Sequence, residues 1–229
     1  DSCVNCNSIF LSELYPEKSS LGSQSSTYKL TTSGHRLHNK IGICLECNLI
    51  FNDTTCTANQ LLGMYSDVVD KDYYSYLLHA REKTYSYNLK KIRSYLPLSG
   101  KLLDIGAYCG VFMRAANTKG YEVIGIEPSK WASNEARKNT GDEVICGTLK
   151  DLREDANNFD IITMWDVLEH LSDPIGELKD IWLRLKPGGV LVLSTMNMMS
   201  WFPKITKESY PWILDMHLYY FNSYTLTSI

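Results

Sequence analysis

From residue 101 onward, short apolar runs alternate with helix-compatible segments, and this alternation constrains the fold more than any other feature of the chain. "KLLDIG" reads as a first strand, followed by a helix over about 110–119. "YEVIGIE" is a second strand, with a helix at about 129–139, and "DEVICG" is a third. "FDIITMW" is a fourth, with a helix near 174–186; then "KPGG" reads as a turn and "VLVLSTM" as a fifth strand. Strand and helix in strict succession point to an α/β fold, a Rossmann-like and mostly parallel sheet with flanking helices.

The chain has 229 residues, enough for one such domain plus a small module. Residues 1–60 are polar, carry cysteines and lack helical periodicity, with a serine-rich loop around Gly22. Residues 61–97 are tyrosine-rich and helical in pattern, ending at Pro97, and read as a linker or lid; the core is 98–229. A net charge of −3 does not favour nucleic acid as a partner, and no apolar run approaches the roughly 20 residues of a membrane span. There is no signal peptide at the start and no initiator Met, so the start reads as processed or trimmed. The seven cysteines, an odd number, argue against a disulfide framework and for a reducing, cytoplasmic setting.

The chemistry begins at "LLDIGAYCGVF". Dinucleotide sites use G-x-G-x-x-G so that backbone amides approach a pyrophosphate at a helix N-terminus. Here only Gly106 fits; Tyr108 and Val111 stand at the next two glycine positions, and Asp104 places negative charge at the strand end. A ligand carrying an ammonium and a sulfonium fits that corner better than an anion, while Gly106 and Gly110 still let the backbone come close. Glu127 closes the second strand, about twenty residues on, where a carboxylate can accept both hydroxyls of a ribose. Thr148 and Leu149 follow the third strand, where an adenine edge would lie. Trp165 and Asp166 end the fourth, at the crevice where open sheets collect ligands.

"LLDIGAYCG", "VIGIEPS", "FDIITMWDVLEHLSDP" and "LKPGGVLVLST", in this order and spacing, resemble the class I S-adenosylmethionine-dependent methyltransferases. The resemblance covers about residues 98–229. It implies that Asp104, Gly106 and Gly110 surround the methionine end, that Glu127 with Pro128 holds the ribose, and that Thr148 and Leu149 flank the adenine. It places Trp165 on the wall near the sulfonium. Tyr108 departs from the pattern, since many members carry a second glycine there. Arg81, on the tyrosine-rich helix, is a candidate partner for the methionine carboxylate.

"CVNC" (Cys3, Cys6) and "CLEC" (Cys44, Cys47) have the spacing of a four-thiolate zinc site, although the 37 residues between the pairs exceed the common interval. Loop closure costs only logarithmically in length, so the interval is tolerable. Four thiolates close the coordination shell, which makes the metal structural, in a zinc-ribbon-like module; Cys56 is a bystander. The arrangement resembles a subgroup of bacterial methyltransferases with an N-terminal cysteine-zinc module, among them sugar C-methyltransferases, whose core ends in a motif like "HLYYFNSYTL". In the C-methyltransferases a glutamate precedes the histidine; here it is Met216, which leaves O- or N-methylation open.

Two histidines are candidates for a catalytic base. His170 lies just beyond the fourth strand and His217 lies in the aromatic segment after the fifth; His217 is preferred. His35, His38 and His79 read as surface residues. Trp201, Phe202, Tyr210 and Trp212 read as walls of a pocket for a small or carrier-linked acceptor, such as a sugar. Two other readings stand beside this one: an NAD-dependent oxidoreductase, and a non-catalytic binding protein with a zinc interaction module. The edge of the sheet after the fifth strand needs a cover, supplied either by a segment missing from this chain or by another element.

Overall fold

The computed structural model describes residues 2–18, 38–54, 57–67, 69 and 71–229, without the side chains of 72–74, 76 and 77. The serine-rich loop, His35 and Cys56 lie outside the described residues. The elements in chain order are β1 (Leu11–Tyr15), β2 (Ile41–Cys44), β3 (Ile50–Asn52), α1 (Ala58–Ser66), α2 (Lys71–Ile92), β4 (Gly100–Ile105), α3 (Val111–Asn117), β5 (Tyr121–Glu127), α4 (Lys130–Thr140) and β6 (Val144–Cys146). They continue with β7 (Phe159–Trp165), α5 (Pro174–Arg184), β8 (Leu185–Ser194), α6 (Trp201–Thr206), β9 (Tyr219–Tyr220) and α7 (Ser223–Thr227).

Strands β4 to β8 form one parallel sheet in the order β6-β5-β4-β7-β8. The inner strands are apolar on both faces, as a sheet covered by helices on two sides requires, and Leu102, Leu103, Ile161 and Ile162 are fully buried. One core cluster joins Leu102 and Ile161 to Phe112, Met113 and Leu89 of the helical side. Another joins Leu103, Ile105, Ile162 and Met164 to Ile181 and, from the two chain ends, to Cys3, Cys44, Leu49 and Phe221.

The chain order reverses between β4 and β7, so a crevice opens beyond their carboxyl ends. Local sequence sets the helices that flank it. Ser129 caps α4 by accepting from the Ala132 N–H at 3.1 Å, and Gly141 ends that helix in the left-handed region. Asp173 caps α5, accepting from the Gly176 N–H at 2.9 Å, with Pro174 in its first turn. The long helical segment is broken in two, α1 and α2, with Thr57 and Gln60 making a capping box at the first.

Two expectations change, and one strand pairing is new. The Lys186-Pro-Gly-Gly segment is not a turn before β8 but lies inside it. Phe159 pairs with Leu185 and Ile161 with Val190, so two residues along β7 are matched by five along β8. Pro187 lacks an N–H and Gly188 has φ +79, which together make the bulge. His38 is buried, at 3% exposure, with Nδ1 2.8 Å from the Asn39 carbonyl; His79 is at the surface. Finally, β9 near the C-terminus completes a second, antiparallel sheet, β1-β2-β3-β9, pairing Ile50 with Tyr220 and Phe51 with Tyr219. Among the described residues no helix is long and apolar enough to cross a membrane.

Gly110 precedes α3 with φ +76, and a Cβ there would lie 2.8 Å from Thr140 Cγ2 and 3.1 Å from Ala136 Cα. Gly141 has a similar φ of +79 but open space around it. Gly110→Ala therefore combines backbone strain with a helix–helix clash, and Gly141→Ala carries the strain alone. Chemical denaturation should show Gly110→Ala costing about 2–4 kcal/mol and Gly141→Ala about 1–2 kcal/mol.

Candidate active site

A cavity of about 900 Å³ opens at the crevice beyond β4 and β7. One wall contains Arg81, Gly106, Glu127, Pro128, Thr148, Leu149 and Trp165, gathered from five separate segments. Its other side contains Leu61 and Tyr65 of α1, Glu169 and His170 after β7, and Tyr210, Trp212, Met216 and His217 from the segment before β9.

The corner after β4 is held by Glu127. Its carboxylate accepts from the Tyr108 N–H and from the Ser129 N–H, both at 2.8 Å. Each oxygen keeps a lone pair for a further donor, so two ribose hydroxyls can still be accommodated. Tyr108 adopts φ +47, the region a glycine would take freely, so the residue departs from the glycine pattern while the backbone path does not. Its ring meets Trp131 edge-on, and the Arg81 guanidinium sits 5.3 Å from the ring centroid. Trp165 is wedged between Phe112 and Tyr85, with ring centroids at 5.0 and 5.7 Å. Its indole nitrogen is buried without a hydrogen-bond partner.

Asp104 and Gly110 do not line the cavity. Asp104 is 1% exposed and its Oδ1 accepts from Thr163 Oγ1 at 2.7 Å on the neighbouring strand. It lies behind the wall because β4 turns its side chain into the sheet layer before the corner begins. Burial drives the Asp104 carboxyl up to about 7, and the charge of Glu127 adds to the effect. Gly110 is spent on the packing of α3 against α4. On the acceptor side, Tyr210 and Trp212 line the cavity, but Trp201, 72% exposed, lies outside it, as does Phe202, which meets Tyr210 edge-on at 5.8 Å.

The two candidate histidines are neighbours, with ring centroids 4.7 Å apart. His217 Nδ1 is 2.8 Å from the Trp212 carbonyl, which can only accept, so the ring proton is assigned to Nδ1 and the Nε2 lone pair is left over. His170 Nδ1 is 2.9 Å from the Met216 carbonyl and 2.6 Å from the Tyr65 hydroxyl, giving the same assignment. Burial brings the His217 imidazole down to about 3, helped by the charge of His170, and burial also lowers His170; both rings are neutral at pH 7. Beside them Glu169 is 1% exposed, and burial holds its carboxyl up at about 7 against the opposing effect of the nearby Thr195 hydroxyl. Tyr65 and Glu169 were not singled out from sequence. For Glu169 the signal was present, because "DVLEH" sets it beside His170 in one turn after a strand end; for Tyr65 nothing local marks the contact across 105 positions.

The loop bearing His217 is fastened from the other end of the chain. The Asn52 N–H donates to the Leu218 carbonyl at 2.9 Å, and Asn52 Nδ2 donates to the Asp215 carbonyl at 3.2 Å. Asn52 is 6% exposed and also accepts from Asn39 Nδ2 at 3.2 Å.

Behind β3 stand the four cysteines. Cys3 Sγ is 3.5 Å from Cys47 Sγ and Cys6 Sγ is 3.6 Å from Cys44 Sγ, and all four sulfurs lie within 4.8 Å of one another. Zinc–sulfur bonds of about 2.3 Å in a tetrahedron imply sulfur separations of about 3.8 Å, so the residues fit that ion. The two knuckles share one construction, C-x-x-C-N, with Asn7 and Asn48 both in the left-handed region at φ 58 and 61. Their N–H groups bond back to the Cys3 and Cys44 carbonyls at 2.8 and 2.9 Å. Burial raises the Cys44 thiol, but the N–H groups of Cys47 and Glu46 outweigh it and bring it to about 7.

Residues 77–229 match a family model described as a methyltransferase domain; the match begins inside α2 and leaves the cysteine ribbon outside it. The ubiquinone biosynthesis O-methyltransferase of Coxiella burnetii is 34% identical over 115 residues, 48% of this chain and 49% of that protein. The protein of the same description from Parvibaculum lavamentivorans is 30% identical over 127 residues, 53% of this chain and 50% of that protein. The chain spans about half the length of the curated relatives it matches. A S-adenosylmethionine-dependent methyltransferase structure from Thermotoga maritima superposes with a TM-score of 0.51 at 23% identity, over 67% of this chain and 75% of that one; this likeness is one of fold.

Two outcomes test the site. Glu127 binds its proton more tightly in the folded chain than in the unfolded one, since burial raises it to about 7. Its stabilising share is complete below the ordinary carboxylate range near 4 and is lost as pH rises through 7. Thermal unfolding at pH 5 and pH 8 should show lower stability at pH 8, and Glu127→Gln should shrink that difference by on the order of 1–3 kcal/mol. Asn52→Ala should cost about 1–3 kcal/mol in denaturant melts. It should leave binding of S-adenosylhomocysteine within about 2-fold of wild type, because the cofactor wall is untouched.

Proposed function

Because the chain belongs to the methyltransferase-domain family, we propose that it transfers the methyl group of S-adenosylmethionine to a small or carrier-linked acceptor. The observation that carries this reading is Glu127: a buried carboxylate at the β5 end, pinned by two amides and facing the cavity with acceptor capacity left for a ribose. Gly106 leaves the corner beside it open, and Pro128, Thr148 and Leu149 continue the same wall toward an adenine. Arg81 is at hand for a carboxylate, and Trp165 supplies a flat face for the sulfonium end.

When bound, the cofactor supplies an activated methyl group on a positively charged sulfur. The chain's own task is to hold an acceptor atom in line with it, an effect worth roughly 7–11 kcal/mol. Tyr210, Trp212, Leu61 and Met216 give the acceptor an apolar and aromatic cradle. His170 and His217 lie on the same side with neutral rings, the state able to interact with an acceptor hydroxyl. We take the acceptor atom to be oxygen: the curated relatives from Coxiella burnetii and Parvibaculum lavamentivorans are described as O-methyltransferases, and Met216 stands where sugar C-methyltransferases carry glutamate. A sugar or a phenol would each suit the aromatic walls. The four cysteines hold a structural zinc in this reading, and their thiols suit a reducing, cytoplasmic setting.

Isothermal calorimetry should detect S-adenosylmethionine and S-adenosylhomocysteine, with Glu127→Gln weakening both by about 10-fold or more, the loss of a charge-assisted pair of hydrogen bonds. Tighter binding of NAD than of either would overturn the assignment. Turnover on panels of carrier-linked sugars and of phenols would identify the acceptor. Metal analysis of protein purified without added zinc should give near one equivalent, and Cys44→Ser should abolish it.

A further inference from the structure

We infer that Asn52 is a positioning residue for His217: from the cysteine ribbon it sets the turn that carries this imidazole, and with it the tautomer the ring presents. The inference deepens the methyl-transfer reading, on which its functional meaning rests. Asn52 ends β3 and lies outside residues 77–229, the part that matches the methyltransferase-domain model. It is 6% exposed, and its N–H and whole side-chain amide are engaged. The N–H donates to the Leu218 carbonyl at 2.9 Å. Nδ2 donates to the Asp215 carbonyl at 3.2 Å and to the Leu214 carbonyl at 3.4 Å, and Oδ1 accepts from Asn39 Nδ2 at 3.2 Å.

These bonds bracket His217 in the chain, with two gripped carbonyls before it and one after. Inside the bracket the His217 N–H donates to the Leu214 carbonyl at 3.0 Å, and Nδ1 is 2.8 Å from the Trp212 carbonyl. The ring direction therefore follows from where the 212–215 peptides stand. Asn52 can hold them because its own strand is held on both edges, by Ile41 of β2 on one side and by the β3–β9 pairing on the other. The chemistry calls for an amide. Two N–H groups meet two carbonyls, whereas a carboxylate of the same shape would set oxygen against oxygen. An alanine would take the Asn52 donor away from the Asp215 carbonyl.

The consequence lies in the ring proton. A histidine's tautomer is set by the hydrogen bond its other nitrogen makes. With the Trp212 carbonyl in place the proton stays on Nδ1, and Nε2 of a residue that lines the cavity keeps its lone pair. Releasing the grip lets the 214–215 peptides turn, weakens the Trp212 contact and allows the proton onto Nε2. A hydrogen-bond acceptor then becomes a donor at the same place, the wrong polarity for taking a proton from a hydroxyl. Asn52 acts on the acceptor side in this way without touching a ligand.

The test is long-range proton–nitrogen NMR on the whole chain with ¹⁵N-labelled histidine, which reads the protonated ring nitrogen directly. The His217 signals are those lost in His217→Gln. Wild type should show the Nδ1–H tautomer. Asn52→Ala and Asn52→Asp should each raise the Nε2–H share by about 5-fold or more, the equivalent of one hydrogen bond lost. Gly141→Ala, destabilised at a remote helix end, should keep the wild-type tautomer. An unmoved tautomer in Asn52→Ala, or the same change in Gly141→Ala, would overturn the inference. If neither Asn52 variant folds, Asn39→Ala takes their place, since it removes only the donor to Asn52 Oδ1. A smaller shift in the same direction then supports the inference, and no shift overturns it. S-adenosylhomocysteine binding is measured in parallel by calorimetry. If it binds and the tautomer does not respond, the positioning role fails and the methyl-transfer reading stands; the reverse result sinks that reading and leaves the grip on His217.

Discussion

A single carboxylate, Glu127, holds the two strand ends on which one wall of the cavity is built. Its oxygens accept from Tyr108 on one side and Ser129 on the other, so the corner after β4 and the start of α4 are tied to the tip of β5. The tie has a cost, since a fully desolvated carboxylate is raised to about 7. Two backbone N–H groups, those of Tyr108 and Ser129, offset part of that cost. A cofactor offering two hydroxyls would supply the missing donors.

The acceptor half depends on a different constraint. Tyr219 and Tyr220 add a strand to the cysteine ribbon, and Phe221 is buried in the same core cluster as Cys3, Cys44 and Leu49. Asn52 then grips the carbonyls of the loop just before that strand. Because His217 sits between those gripped carbonyls and β9, its position follows from the ribbon. A metal held by the four cysteines would in this way also order a residue of the candidate site, through about one strand of backbone.

Much of this was legible in the sequence. The parallel sheet could be read because β4, β5 and β7 are buried on both faces and so appear as continuous apolar runs. Glu127 and Thr148 could be placed because strand ends follow directly from strand limits. The bulge in β8 could not, since a Pro-Gly-Gly segment has the composition of a turn whether or not pairing resumes on both sides. Nor could the burial of Asp104: the acid falls at a strand end, and only the pairing of β4 with Thr163 of β7 shows that its side chain turns inward. The pairing of β3 with β9 joins residues 168 and 170 positions apart, Phe51 with Tyr219 and Ile50 with Tyr220, and leaves no local trace. The repeated C-x-x-C-N, by contrast, was there to be read: an asparagine after each pair supplies the left-handed residue that a knuckle turn needs.

The two halves of the cavity differ in how they are encoded, and this bears on what each can change. The cofactor wall comes from strand ends that the sheet fixes in any case, so its residues are constrained by the fold itself. The acceptor wall comes from α1, the turn after β7 and the segment 195–217, three pieces held together by side chains: Tyr65 to His170, His170 against His217, Asn52 to the 214–215 carbonyls. Substitutions on these pieces can reshape the acceptor pocket without disturbing the sheet. That side of the cavity therefore has a buried polar centre inside an aromatic frame whose pieces are joined through side chains.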